Sequence, residues 1–157
     1  MLSLRTLPIN SILLLVVMVT GGCQHTGFSG PNSIFKGRYS QYMQGNIPDQ
    51  YDNLTNTLPA STENIINGEK LYQTQCLGCH GKYGKGDGLS GQQLTPRPAN
   101  LAFSRRLPVT TDAFFFWTIS EGGKPFGSAM PAFKEKLSDT EIWQITHYIN
   151  TGFNLGV

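Results

Sequence analysis

The chain of 157 residues carries 12 basic and 10 acidic side chains, a net charge of +2, and only 14% of its residues are charged. A nucleic-acid binder shows a strong basic excess, so that class is excluded at the outset. Three cysteines cannot build a scaffold of several disulfides. The high counts of glycine (18) and proline (9) argue for one domain of short helices and substantial loops.

Residues 1–22 have the layout of an export signal. Arg5 precedes an unbroken apolar run, Ile12–Val19. A run of eight residues falls short of the roughly 20 needed to span a bilayer, but it suits the apolar region of a secretory signal. Thr20-Gly21-Gly22-Cys23 then resembles the cleavage box of a bacterial lipoprotein, with Thr20 standing where a branched aliphatic residue is usual. This resemblance implies cleavage before Cys23 and lipidation of its thiol and new amine. Multiple acyl chains hold a protein firmly where one is marginal. Loss of Arg5 leaves a mature net charge of +1, too small for strong attraction to an acidic surface. Gln24, rather than Asp, after the cysteine is similar to outer-membrane sorting. The expected location is the periplasmic side of a bacterial membrane.

Residues 23–60 are expected to form a lipid-anchored flexible tether. They are rich in Gly, Asn, Gln, Ser and Tyr and lack sustained apolar periodicity. A flexible coil of that length reaches about 35 Å on average. Tyr39, Tyr42 and Tyr51 are read as loosely solvated.

The domain is expected over 61–157. Ser61-Thr62-Glu63-Asn64 reads as a helix start, with a capping hydroxyl and an early acid. Thr111–Ser120 reads as a helix with an aromatic run, Phe114–Trp117, stopped by Gly122-Gly123. Ser138 and Glu141 have the spacing of a capping box. Ile142, Ile145 and Ile149 recur at helical spacing, which predicts a helix over 139–151, with Gly152 as its stop. No segment alternates as a strand. Loops this long in so small a domain need something else to pack on.

Cys76-Leu77-Gly78-Cys79-His80 supplies it. CxxCH is the attachment signature of c-type haem. Thiols one helical turn apart can form thioethers with the two vinyl groups, and the adjacent histidine is directed at the iron. A thioredoxin-like site needs a βαβ context, and a zinc site needs further ligands that have no second CxxC to come from. A structural disulfide would leave His80 unexplained. A second axial ligand is expected. After residue 22 the only methionines are Met43, in the tether, and Met130, in Gly127-Ser128-Ala129-Met130-Pro131-Ala132-Phe133. Pro131 biases Met130 away from helix, so its thioether sits on a loop that can reach an iron. His147, beside Trp143 and off the isoleucine stripe, and His25 receive no ligand role.

With CLGCH, GKYGKGDG, LTPRPANL and MPAF in place, Glu63 to Gly152 resembles a class I cytochrome c. The resemblance implies an all-α fold of short helices and long loops wrapped around one covalent haem c. It also implies that Gly68 and Tyr72 meet the last helix near Tyr148, and that a proline carbonyl, from Pro96 or Pro98, accepts the proximal histidine's hydrogen bond. Leu94, Leu101, Phe114, Phe115, Ile119 and Phe133 are expected around the haem. Lys82, Lys85, Arg97 and Lys124 are either a ring about its edge or scattered solvated charge. His80/Met130 ligation leaves no free position on the iron and suits one-electron transfer rather than catalysis. The expected protein is a membrane-tethered monohaem cytochrome. Its partners are redox proteins or a larger oxidoreductase complex, in which it acts as a mobile carrier or a fixed subunit. The alternative is a haem enzyme or gas sensor with a labile Met130.

Overall fold

The computed structural model describes residues 47–154. Five α-helices follow one another: α1 (Thr62–Gln75), α2 (Leu77–His80), α3 (Leu101–Ser104), α4 (Asp112–Glu121) and α5 (Asp139–Asn150). Single 3-10 turns at Asp49–Tyr51, Leu89–Gly91 and Lys124–Phe126 punctuate the loops, and no strand occurs among the described residues. The small all-α fold expected from the sequence is the one observed. No helix of the described residues is long and apolar enough to cross a membrane.

Short side chains set the helix starts. The hydroxyls of Ser61, Thr111 and Ser138 accept from the backbone N–H three residues on, at 3.2, 3.2 and 3.3 Å. At α5 the reciprocal bond is also made, from Ser138 N–H to Glu141 Oε2 at 2.8 Å, completing the capping box.

The frame of the domain is the crossing of α1 on α5. It is close because position 68 has no side chain. A Cβ there would stand 1.9 Å from the Gln144 carbonyl oxygen. Beside the crossing, the rings of Tyr72, Tyr148 and Phe153 pack at centroid distances of 5.4, 5.2 and 5.6 Å. The Tyr72 hydroxyl donates to the Gly81 carbonyl at 2.7 Å, tying α1 to the loop after α2. The expected meeting of Gly68 and Tyr72 with the last helix is thus present.

α4 is buried on nearly every side. Such a helix needs packing all round. Phe116 lies against Trp143 of α5, ring centroids 4.3 Å apart. The opposite side faces a cleft between α2 and the 128–133 loop, lined from α4 by Phe114, Phe115, Thr118 and Ile119.

The expected flexible tether is corrected over its described part. Residues 47–60 lie on the domain. Tyr51 is buried, and Ile47, Leu54 and Leu58 pack against the core. Tyr51 stacks toward Phe116, and its hydroxyl donates to Glu121. His147 Nε2 donates to the Leu58 carbonyl at 2.8 Å. The physical reason is the bare outer side of α4 and α5, which the segment covers with its own apolar residues. Tyr51 is therefore not solvated. The expected signal, Cys23, Tyr39 and Tyr42 lie outside the described residues.

Candidate functional site

The cleft encloses about 1260 Å³, counted out to its open mouth. Most of its lining side chains are apolar. All six apolar residues expected around a haem line it: Leu94, Leu101, Phe114, Phe115, Ile119 and Phe133. So do Cys76, Cys79, His80 and Met130, which the fold brings to one cavity from positions 54 residues apart at the extremes.

The cysteine pair and His80 are placed by α2, which closes directly after α1. The His80 N–H donates to the Cys76 carbonyl at 2.8 Å. His80 itself is buried, 9% exposed. Its Nδ1 donates to the Ala99 carbonyl at 3.0 Å. A carbonyl only accepts, so Nδ1 carries the proton and the lone pair lies on Nε2, which makes no hydrogen bond. Burial holds the ring's pKa below the usual histidine value, partly opposed by the bond to Ala99. The ring is therefore a neutral imidazole with one nitrogen committed to the backbone, the usual state of a metal-binding histidine. The acceptor corrects the expectation of Pro96 or Pro98. The chain runs one residue further before its carbonyl points at the ring, and both prolines instead line the cleft.

Burial and the neighbouring Cys79 push the Cys76 thiol up to about 12. Thiol exchange depends on a depressed pKa, and that of Cys76 is shifted the other way. Among the described residues no group of three or more His, Cys, Asp or Glu side chains gathers as a metal site.

Met130 reaches the cleft through the end of α4. Gly122 stops the helix with φ +65°, and a Cβ there would stand 2.5 Å from the Pro131 backbone. The Gly123 N–H donates to the Met130 carbonyl at 2.9 Å, and the Met130 N–H to Ser128 Oγ at 3.1 Å. The Phe133 N–H closes the loop on the Ile119 and Ser120 carbonyls. The methionine's backbone is thus held on both sides, through its carbonyl by Gly123 and through its N–H by the Ser128 hydroxyl, while its side chain packs against the core.

Of the four cations considered, Arg97 lines the cleft, whereas Lys82, Lys85 and Lys124 do not. Lys82 and Lys85 lie over the exposed Tyr83 ring, 5.5 and 6.0 Å from its centroid. His147 is not among the residues that line the cleft; its ring meets the Leu58 carbonyl instead. The sequence reading missed the Ala99 carbonyl and Thr118. Thr118 Oγ1 is buried, faces no partner and belongs to the cleft wall. Its signal was available, since Thr118 follows Phe114 by four residues and shares its helix face.

These residues fit a covalent haem. Two thiols and a free imidazole nitrogen stand on an apolar cavity, and a buried hydroxyl there lacks an acceptor that the protein does not supply. Fold and site together define a small c-type cytochrome. Residues 63–149, more than half of the chain, match the family described as cytochrome c oxidase, cbb3-type, subunit III, and the chain belongs to that family. With the family come covalent haem c and a role in electron transfer.

The chain is 31% identical over 96 residues to a cytochrome c6-like protein of Nostoc sp., covering 60% of this chain and 77% of that protein. It is 30% identical over 125 residues to the cbb3-type cytochrome c oxidase subunit FixP of Azorhizobium caulinodans. That match covers 80% of this chain but 40% of FixP, so the chain spans less than half of that relative. A reducing HAO-like protein complex of Kuenenia stuttgartiensis shares the fold, with a TM-score of 0.53 and 24% identity over 71% of this chain and 54% of that one.

Proposed function

We propose that the protein passes single electrons through one haem c held by thioethers at Cys76 and Cys79, with His80 and Met130 on the iron. We propose further that a lipid on Cys23 tethers it to the periplasmic side of a bacterial membrane, where it serves a larger oxidoreductase complex. The observation that carries the ligand reading is the His80 ring, whose Nδ1 is committed to Ala99 while Nε2 is left for a metal in a cleft that Met130 also lines. When bound, the haem supplies an iron that cycles between two oxidation states, and a methionine ligand raises its potential relative to a second histidine.

The chain's own residues do the rest. The Ala99 carbonyl fixes the tautomer and orientation of His80. The six apolar side chains exclude water, which favours the less charged, reduced iron. The bonds of Gly123 and Ser128 hold the Met130 loop, so that little rearrangement accompanies a change of charge.

Membership in an oxidase-subunit family supports the complex-bound reading. The resemblance in size and sequence to a cytochrome c6-like protein supports a mobile carrier instead. A mild detergent extract separates them: a subunit co-purifies with large partners, a carrier migrates near its own mass. Cys76→Ser with Cys79→Ser is expected to abolish covalent haem staining after denaturation, and survival of the stain would refute the attachment. Cys23→Ser is expected to free the protein from membranes. Carbon monoxide binding to the reduced protein at neutral pH would favour the gas-sensor alternative.

A further inference from the structure

Charge is divided unevenly along the described chain. Between residues 82 and 106 stand five basic side chains, Lys82, Lys85, Arg97, Arg105 and Arg106, against one acid, Asp87. The rest of 47–154 holds four basic and nine acidic side chains. The small total therefore conceals a basic part and an acidic part.

The fold keeps the two apart. The Ala102 N–H donates to the Gly84 carbonyl at 3.1 Å, and a Cβ on Gly86 would collide with the Pro98 carbonyl oxygen. The loop after α2 thus backs onto residues 98–102, and the basic stretch closes on itself. Acids gather instead around Tyr51. Asp49 opens its turn, Glu121 accepts from its hydroxyl, and Asp139 lines the hollow beside it.

Two aromatic rings stand out of the basic part. Tyr83 is 53% exposed and Phe103 is 60% exposed. Tyr83 precedes Gly84 and Phe103 follows Ala102, so the two residues flank the one backbone bond. Lys82 and Lys85 lie over the Tyr83 ring. Exposed Arg106 closes the turn after α3, its N–H donating to the Phe103 carbonyl at 3.1 Å. The remaining charges nearby are engaged elsewhere. Arg105 donates to the Asn150 carbonyl at 3.3 Å, where Asp112 accepts from the Asn150 side chain. Arg97 lines the cleft, and the carboxylate of exposed Asp87 lies against the Gly81 backbone.

Exposed rings among cations match the layering of a bilayer surface, with anionic headgroups outermost and an apolar boundary beneath. An acidic protein surface would meet the cations but set the rings against hydrated carboxylates. We infer that the face carrying Lys82, Tyr83, Lys85, Phe103 and Arg106 rests on an anionic lipid surface, with its cations at the headgroups and its rings in the interface. The acidic side around Tyr51 then points away from the membrane. This contact needs neither the haem nor a lipid on Cys23, so it stands or falls apart from the proposed function.

Flotation of the haem-loaded full chain carrying Cys23→Ser tests it. Binding to vesicles of equal parts phosphatidylglycerol and phosphatidylcholine is expected to be at least about tenfold tighter than to phosphatidylcholine alone. It is expected to fade between about 0.1 M and about 1 M salt, where the screening length falls from about 10 Å to about 3 Å. Lys82→Gln and Lys85→Gln are each expected to weaken it about fivefold, the equivalent of about 1 kcal/mol per cation near an anionic surface. Phe103→Ser is expected to weaken it about tenfold at either salt concentration. Lys134→Gln with Lys136→Gln, on the acidic side, is expected to leave it unchanged. The visible spectra of all variants are expected to match the parent's, and the two lysine variants decide the matter if that of Phe103→Ser does not.

Failure of the parent to float with the anionic vesicles would overturn the inference. Equal flotation with phosphatidylcholine alone would do the same, because the charges would then play no part. Anionic binding that survives Lys82→Gln with Lys85→Gln would assign it to another region, such as the residues before 47 with Lys36 and Arg38, and overturn this face. A parent without haem bands that still binds anionic vesicles through these lysines would overturn the reading of the cleft and leave the face standing.

Discussion

The Tyr51 hydroxyl donates a 2.6 Å hydrogen bond to Glu121 at the end of α4, closing a contact between residues 70 positions apart. Lys134 Nζ bonds the same carboxylate at 3.1 Å. The segment before the first long helix is thereby latched onto the side of α4 away from the cleft.

Burial first, and then the hydrogen bond and charge of Glu121, raise the Tyr51 hydroxyl from 10.0 to about 12. A group whose folded pKa is raised contributes fully below its unfolded value and loses that contribution as pH rises through the folded one. The parent is therefore expected to lose stability between pH 10 and about 12 faster than Tyr51→Phe. At neutral pH the variant is expected to be less stable by about 1.5 kcal/mol, the scale of a hydrogen bond to a charged group. Denaturation profiles at neutral and alkaline pH check this, and parallel curves would dismiss the latch.

Gly68→Ala tests the helix crossing. Its Cβ would stand 1.9 Å from the Gln144 carbonyl oxygen, and backbone on backbone has no rotamer through which to yield. A loss of about 3 kcal/mol is expected, at the upper end for overpacking. Thermal unfolding measures it. An unchanged midpoint would mean that α1 and α5 cross less closely.

Met130→Ala is expected to keep covalent haem while removing the sulfur-to-iron absorbance at the red end of the spectrum and lowering the reduction potential. Spectroelectrochemistry reads both. Persistence of the band would assign the sixth ligand elsewhere.

The α5 cap should show in acid. The Ser138 backbone N–H, and then its hydroxyl, hold the Glu141 carboxyl below the ordinary glutamate value. A depressed carboxyl contributes above its unfolded pKa and loses that contribution as pH falls through the folded one. Ser138→Ala is expected to cost about 1 kcal/mol at neutral pH. The difference from the parent is expected to narrow below the unfolded glutamate pKa of 4.5. Urea titrations at neutral and acid pH test both statements.

Much of the site was written locally. The spacing of Cys76, Cys79 and His80 defines its chemistry within one helical turn, and the three capping hydroxyls act within three residues of themselves. Met130 was legible because Pro131 and the nearby glycines mark a loop, and Phe114, Phe115, Ile119 and Phe133 because they lie on a recognisable helix or beside Met130; Leu94 and Leu101 sit in a stretch where no helix was expected.

Other features depended on which surfaces met. Whether the His80 ring is held by a proline carbonyl or by Ala99 turns on the path of a loop 19 residues away, and Pro96 and Pro98 look equally suitable along the chain. Tyr51 looked solvated because its neighbours are polar. It is buried because Phe116 of α4 and Trp143 of α5 leave an apolar surface to be covered. Thr118 drew no reading along the chain; in the fold it lines the cleft and its buried hydroxyl has no hydrogen-bond partner. By itself the sequence determined the spacing of Cys76, Cys79 and His80 and the starts of the three long helices, because these act through residues three or four apart. Only the tertiary structure decided the hydrogen-bond partner of His80 and the burial of the N-terminal segment, because these depend on distant segments sharing the same space.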